Sequence, residues 1–162
     1  MKSISMLNKL CLISLTSILF FSCGNPKKKD QPKNDGRVLE YNNELSFLNE
    51  EGDIISTLNF VKADDPNKRN QGLMDVSVMP KNAGMVFYFD TEEPQSFWMM
   101  NTPLPLDIMY VNADSVIVSI YKSTTPFSDK SLPSGAPAKY VVETNAGYSI
   151  SNDIKEGMKV RF

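Results

Sequence analysis

The sequence contains no histidine, and its two cysteines, Cys11 and Cys23, both fall within the first 23 residues. The missing histidine removes the commonest general base, the commonest metal ligand and the usual switch near neutral pH. With no cysteine from Val38 onward, that region has no disulfide, no zinc-thiolate site and no cysteine nucleophile. An excess of positive charge is also lacking. The chain carries 17 Lys+Arg against 19 Asp+Glu, and from Val38 to Phe162 ten basic residues face seventeen acidic ones, a formal balance of −7. An acidic body repels phosphate backbones, which excludes nucleic acid as an expected partner.

The apolar run at residues 10–21 (LCLISLTSILFF) is twelve residues long, short of the roughly 20 that a helix needs to span a bilayer. Flanked by Lys2 and Lys9, it has the length of a signal-peptide apolar region. The residues that follow, Phe20-Phe21-Ser22-Cys23-Gly24, resemble a bacterial lipobox, with a small residue directly before the cysteine. That resemblance implies cleavage before Cys23, a diacylglycerol on its thiol and acylation of the new amino group. Two or three acyl chains anchor stably where one is marginal. The bland alternative is a secreted protein cut nearby with Cys23 left as a free thiol. Residues 24–36 (GNPKKKDQPKNDG) are too polar to bury anything and read as a disordered spacer, whose lysines either meet anionic lipid or are simply solvated. The expected organisation is a signal peptide over 1–22, a lipidated tether over 23–37 and one globular domain over 38–162, held at the cell envelope with the membrane as a partner.

With 41% hydrophobic and 22% charged residues, the chain can furnish one core. Short alternating runs predict strands at 38–41, 45–48, 54–61, 85–89, 96–100, 106–111, 115–121, 139–144 and 159–162. Asp64-Asp65-Pro66 is a helix start that Gly72 ends, and a second short helix is expected at 151–155. The fold class is mainly β (α+β): a compact, barrel-like antiparallel sheet with one or two short helices.

Several clusters occur in a specific order: Gly72-Leu73-Met74; Gly84-Met85 with Phe87 and Phe89; Phe97-Trp98-Met99 with Asn101-Thr102; Pro105-Leu106-Asp107-Ile108. They are followed by Ser134, Pro137-Ala138-Lys139-Tyr140-Val141, Glu143, Asn145-Ala146-Gly147, Gly157 and Val160. Together they resemble the domain of unknown function 192 family over about residues 55–162. The resemblance implies a mainly β fold, frequent export and no established reaction. Met100 stands where the family usually has a lysine, so no role of that lysine carries over.

Read as a strand, 97–101 turns Phe97, Met99 and Asn101 one way and Trp98 and Met100 the other. Both faces are apolar, so both are expected to be covered. In the next strand Leu106, Ile108 and Tyr110 share a face, and Asp107 shares the other with Met109 and Val111. A carboxylate placed there needs donors. It either pins the 101–104 loop through backbone N–H groups, or joins Trp98, Asn101 and Thr102 in a polar notch suited to a small ligand, with Lys139 and Tyr140 as further candidates. Glu143 is expected on a solvated face with Lys139 and Val141, opposite Ala138, Tyr140 and Val142. It either attracts Lys139 weakly or pairs with Asp107 as an acid/base or Ca²⁺/Mg²⁺ couple. Seven methionines lie beyond residue 70. They fill a core, or Met99 and Met100 hold Cu(I), although neighbours on a strand point apart. Residues 131–137 (SLPSGAP) read as a connector or a lid, and Ser134 has no histidine to activate it. The reading favours a cofactor-free, non-catalytic domain that binds a small ligand or an envelope protein. An acid/base enzyme and a copper carrier are the alternatives.

Overall fold

A computed structural model describes residues 36–162. The expected signal peptide, the Cys23 lipidation site and most of the tether lie outside the described residues. Seven strands and two short helices run in the order β1 (Asn43–Leu48), β2 (Ile54–Ala63), α1 (Pro66–Gln71), β3 (Ala83–Phe97), β4 (Leu106–Val111), β5 (Ile117–Tyr121), β6 (Leu132–Asn145), α2 (Tyr148–Ser151) and β7 (Lys159–Arg161). They build one sheet in the order β5-β4-β6-β3-β2-β1-β7. The mainly β expectation holds, with one refinement: β2 and β3 pair in parallel, and the other neighbours are antiparallel. The parallel pair requires a crossover, which α1 and the segment after it supply. Asp65 caps α1 by accepting the Lys68 N–H at 3.0 Å, Pro66 follows where its missing N–H costs nothing, and Gly72 closes the helix.

The sheet curls until its outer strands meet. The Ile117 N–H donates to the Met158 carbonyl at 2.9 Å, the Gly157 N–H to the Ile117 carbonyl at 2.9 Å, and the Val160 N–H to the Ser115 carbonyl at 2.8 Å. Inside the curl, Leu45, Phe47, Leu58, Phe60, Val86, Met109, Val111, Ile117, Val142 and Val160 form one apolar core. A second core lies on the outer face of β2, β3, β6 and β4, where Met85, Phe87, Ile108, Tyr110 and Val141 are covered by Leu73, Val76, Met79 and Met99 from the segments after α1 and β3. This double coverage explains why every residue of β4 is buried and why its sequence is a nearly continuous apolar run.

The structure alters several boundaries. Residues 38–41 do not form a strand. The Arg37 N–H donates to the Asp75 carbonyl at 2.8 Å, so Arg37, assigned to the tether by sequence, already belongs to the folded body. The second helix begins three residues earlier than expected. The 131–137 segment is neither lid nor connector, because most of it is the first half of β6, paired with the end of β3. Pro137 sits opposite Pro94 and Pro133 opposite Ser96, with register shifts between them. Where prolines remove ladder donors, Ser134 substitutes: its hydroxyl accepts the Gln95 N–H at 3.0 Å and donates to the Ala136 carbonyl at 2.5 Å.

Candidate functional site

Register decides which way each carboxyl points. Glu143 lies opposite Ile108 on one side and Met85 on the other, both members of the outer core. Asp107 lies opposite Thr144 and shares its face with Met109 and Val111 of the inner core. The two carboxyls are therefore on opposite faces of the sheet, which removes the acid/base or divalent-cation couple between them. Asp107 is fully buried and meets four donors: the Ser123 N–H (2.8 Å) and Gly147 N–H (3.1 Å) on Oδ1, and the Ser149 N–H (2.9 Å) and hydroxyl (2.7 Å) on Oδ2. All four donors belong to the protein's own fold. The elements it pins are the turn after β5 and the start of α2, rather than the 101–104 loop.

Glu143 is the contrast. It is 4% exposed, not solvated, and its Oε2 has no partner within the protein. Burial pushes its carboxyl up to about 8, and among the described residues neither Lys139 nor any other cation forms an ion pair with it. It opens into a cleft of about 450 Å³ on the outer face. The apolar wall consists of Phe87, Phe89, Phe97 and Trp98 with the thioethers of Met74 and Met100. Phe87 and Phe97 meet edge to face at 4.8 Å, as do Phe97 and Tyr110 at 5.9 Å. The polar lining includes Arg69, Gln95 and Thr102. Arg69 donates to the Tyr88 carbonyl at 2.8 Å and lies 5.4 Å from the centre of the Phe89 ring. Gln95 Nε2, like Glu143 Oε2, is buried without a partner. Among the described residues only one other side-chain atom is in that position, Arg37 Nε, on a guanidinium that donates to the carbonyl of Gly72 in the cleft wall. A second cleft, beside α2, differs: its Asn145, Tyr148 and Asn152 side chains are all hydrogen-bonded internally.

Of the residues singled out by sequence, Trp98, Thr102, Met100 and Glu143 come together here. The apolar surfaces of Trp98 and Met100 were expected to be covered. They are instead 53% and 39% exposed, because β3 ends at Phe97 and the chain turns. Met99 does point the other way from Met100, into the core, with its sulfur 3.2 Å from the Thr124 hydroxyl. The Met99–Met100 copper pair is thereby broken. Asn101 does not line the cleft. It occupies a left-handed turn (φ 55°) and its carbonyl accepts the Asp75 N–H at 2.9 Å. Lys139 and Tyr140 do not line it either, and Tyr140 meets Tyr88 edge to face and packs at a tilt against Phe162. Ala138 joins the outer core with Val141, not the face of Val142, because β6 shifts register nearby. Sequence reasoning missed Arg69, Gln95 and Met74 as site residues. Met74, Phe87 and Phe89 were visible in the ordered clusters. Gln95 carried no signal, since its placement depends on β3 continuing past Pro94.

The family model of DUF192, described as "Uncharacterized ACR", matches residues 47–162. No curated protein matches the chain. Two solved structures are similar. One, from Sinorhizobium meliloti 1021 and named as a proposed transcription regulator, is 32% identical with a TM-score of 0.69, covering 72% of this chain and 90% of that one. The other, a protein of unknown function from Novosphingobium aromaticivorans DSM 12444, is 28% identical with a TM-score of 0.69, covering 74% and 84%. With the family pattern matched from β1 to the last residue and the same fold in both relatives, the chain belongs to the DUF192 family.

Proposed function

We propose that this is a lipid-tethered protein of the cell envelope whose outer-face cleft binds a small molecule with an apolar body and a polar group. The observation that carries the binding reading is the pair of buried, unpartnered atoms, Glu143 Oε2 and Gln95 Nε2, lining one cleft. Buried polar atoms are normally satisfied, and a concave, mostly apolar surface with a few convergent polar groups is the usual form of a ligand site. Binding is preferred to catalysis because no second carboxyl lines the cleft with Glu143. Asp107 is on the inner face, and the Tyr110 hydroxyl donates to the Leu132 carbonyl. The transcription-regulator description belongs to the Sinorhizobium protein; seventeen acidic against ten basic residues from Val38 onward speak against a phosphate backbone here.

Two experiments test the two halves. In a fragment screen followed by NMR, hits are expected to shift the Trp98 indole and Gln95 side-chain amide signals and to be lost in Trp98→Ala. Hits that gather elsewhere would end the binding reading. For the tether, labelled palmitate should enter the chain in cells, and Cys23→Ser should abolish labelling and move the protein to the soluble fraction. An unlabelled wild-type chain would end the lipoprotein reading.

A further inference from the structure

The cleft has an electrostatic asymmetry. Glu143 is its only acidic residue and Arg69 its only basic one. Arg69 is engaged with the Tyr88 carbonyl and the Phe89 ring, and among the described residues no cation is ion-paired with Glu143. The titratable groups near the carboxyl are Tyr110 from β4, whose hydroxyl burial also pushes up, and Arg69 from α1, which lines the same cleft; Lys139 of its own strand does not line it. The cleft that the unpartnered carboxyl helps to line has four aromatic rings and two thioethers in its wall. Ring faces attract cations, more strongly where water is excluded, and a neutral hydroxyl would satisfy Oε2 while leaving that attraction unused.

We propose that the ligand is a small organic ammonium ion, its charge against Glu143 and its apolar body against Phe97 and Trp98, and that Glu143 releases its proton to solvent as the ammonium binds. This rests on the cleft being a binding site. The step balances: a neutral carboxyl and an ammonium ion become a carboxylate–ammonium pair plus one hydrated proton. No bond to carbon or nitrogen changes.

Trp98 is the only tryptophan of the chain, so its emission reports the site directly. The purified full-length protein would be titrated with 2-phenylethylamine, its neutral counterpart 2-phenylethanol and the anion 3-phenylpropanoate. Fluorescence would be followed alongside calorimetry in phosphate and Tris buffers. The amine is expected to bind tightest, with affinity rising about tenfold between pH 6 and 7 and levelling above about pH 8. The buffer comparison should show about one proton released per amine at pH 7 and almost none at pH 9. Glu143→Gln should weaken the amine roughly tenfold or more and abolish proton release while leaving 2-phenylethanol unchanged. The buffer comparison needs no variant, so it decides the matter even if Glu143→Gln folds poorly. Amine affinity no better than the alcohol's, binding without proton release, or an unaffected Glu143→Gln would each overturn the ammonium assignment. Should the alcohol or the anion move Trp98 emission and the amine not, the ammonium assignment falls and the binding cleft stands. Should none of the three move it, the ammonium assignment also falls, and the fragment screen separately decides the cleft.

Discussion

Asp107 and Glu143 sit one register step apart on adjacent strands, yet one carboxyl meets four donors and the other presents an oxygen with no partner. Different consequences follow. Asp107→Asn keeps the shape but turns a donor toward backbone N–H groups. It should cost about 2–4 kcal/mol in urea unfolding and speed amide exchange at Ser123, Gly147 and Ser149. For Glu143, burial raises the carboxyl from its ordinary 4.5 to about 8, so between those values the folded chain holds a proton that the unfolded chain has released. Its contribution is complete below about pH 4.5 and is lost as pH rises through about 8. The free energy of urea unfolding should therefore fall across that window by an amount on the order of a few kcal/mol, and Glu143→Gln should flatten the decline. The sequence showed that Asp107 shares a face with Met109 and Val111, because alternation is local. It did not show what covers either face, and so it put Glu143 in water. Burial there comes from Leu73, Met79 and the aromatic wall, which arrive from distant parts of the chain.

At the scale of elements, β3 and β6 approach unusually closely at Gly84. A methyl group added there would lie 2.3 Å from the Glu143 carbonyl oxygen and 3.0 Å from Leu58 Cδ2. Because the first obstacle is backbone, Gly84→Ala should cost about 3 kcal/mol or more and disturb the Glu143 side chain. Gly135→Ala, at φ 71° with open space around it, should cost only about 1 kcal/mol of backbone strain. Thermal unfolding of the two variants checks the ranking. Helix α1, the Asn112-Ala113-Asp114 turn and strand β4 were all legible, since capping, turn chemistry and alternation act within a few residues. The extension of β3 through Pro94 and of β6 through Pro133 and Pro137 was not. Prolines ordinarily mark loops, and only the mutual register and the Ser134 hydroxyl make them a ladder. That extension is what carries Gln95 to the cleft.

For the whole molecule, the curl is closed by β7 and the two residues before it, which pair with β1 and bond to Ser115 and Ile117. Removing residues 157–162 deletes Val160 from the inner core, the pairing with β1, and the bonds to Ser115 and Ile117. The truncated chain should keep far-ultraviolet strand signal but lose its near-ultraviolet signal and cooperative unfolding. The closing strand itself was readable at 159–162, but its seam with residues 115–117 was not, since main-chain bonds between residues about forty apart leave no side-chain signature. The seam has a further bearing on recognition. Ile117 and Val160 use their amides across it, and the Glu156 carboxylate takes the Ile120 amide at 3.1 Å. Those amides are not on offer to a peptide or a second copy seeking to add itself as another strand. If the outer-face cleft binds a ligand as proposed, its selectivity resides in the side chains that line it.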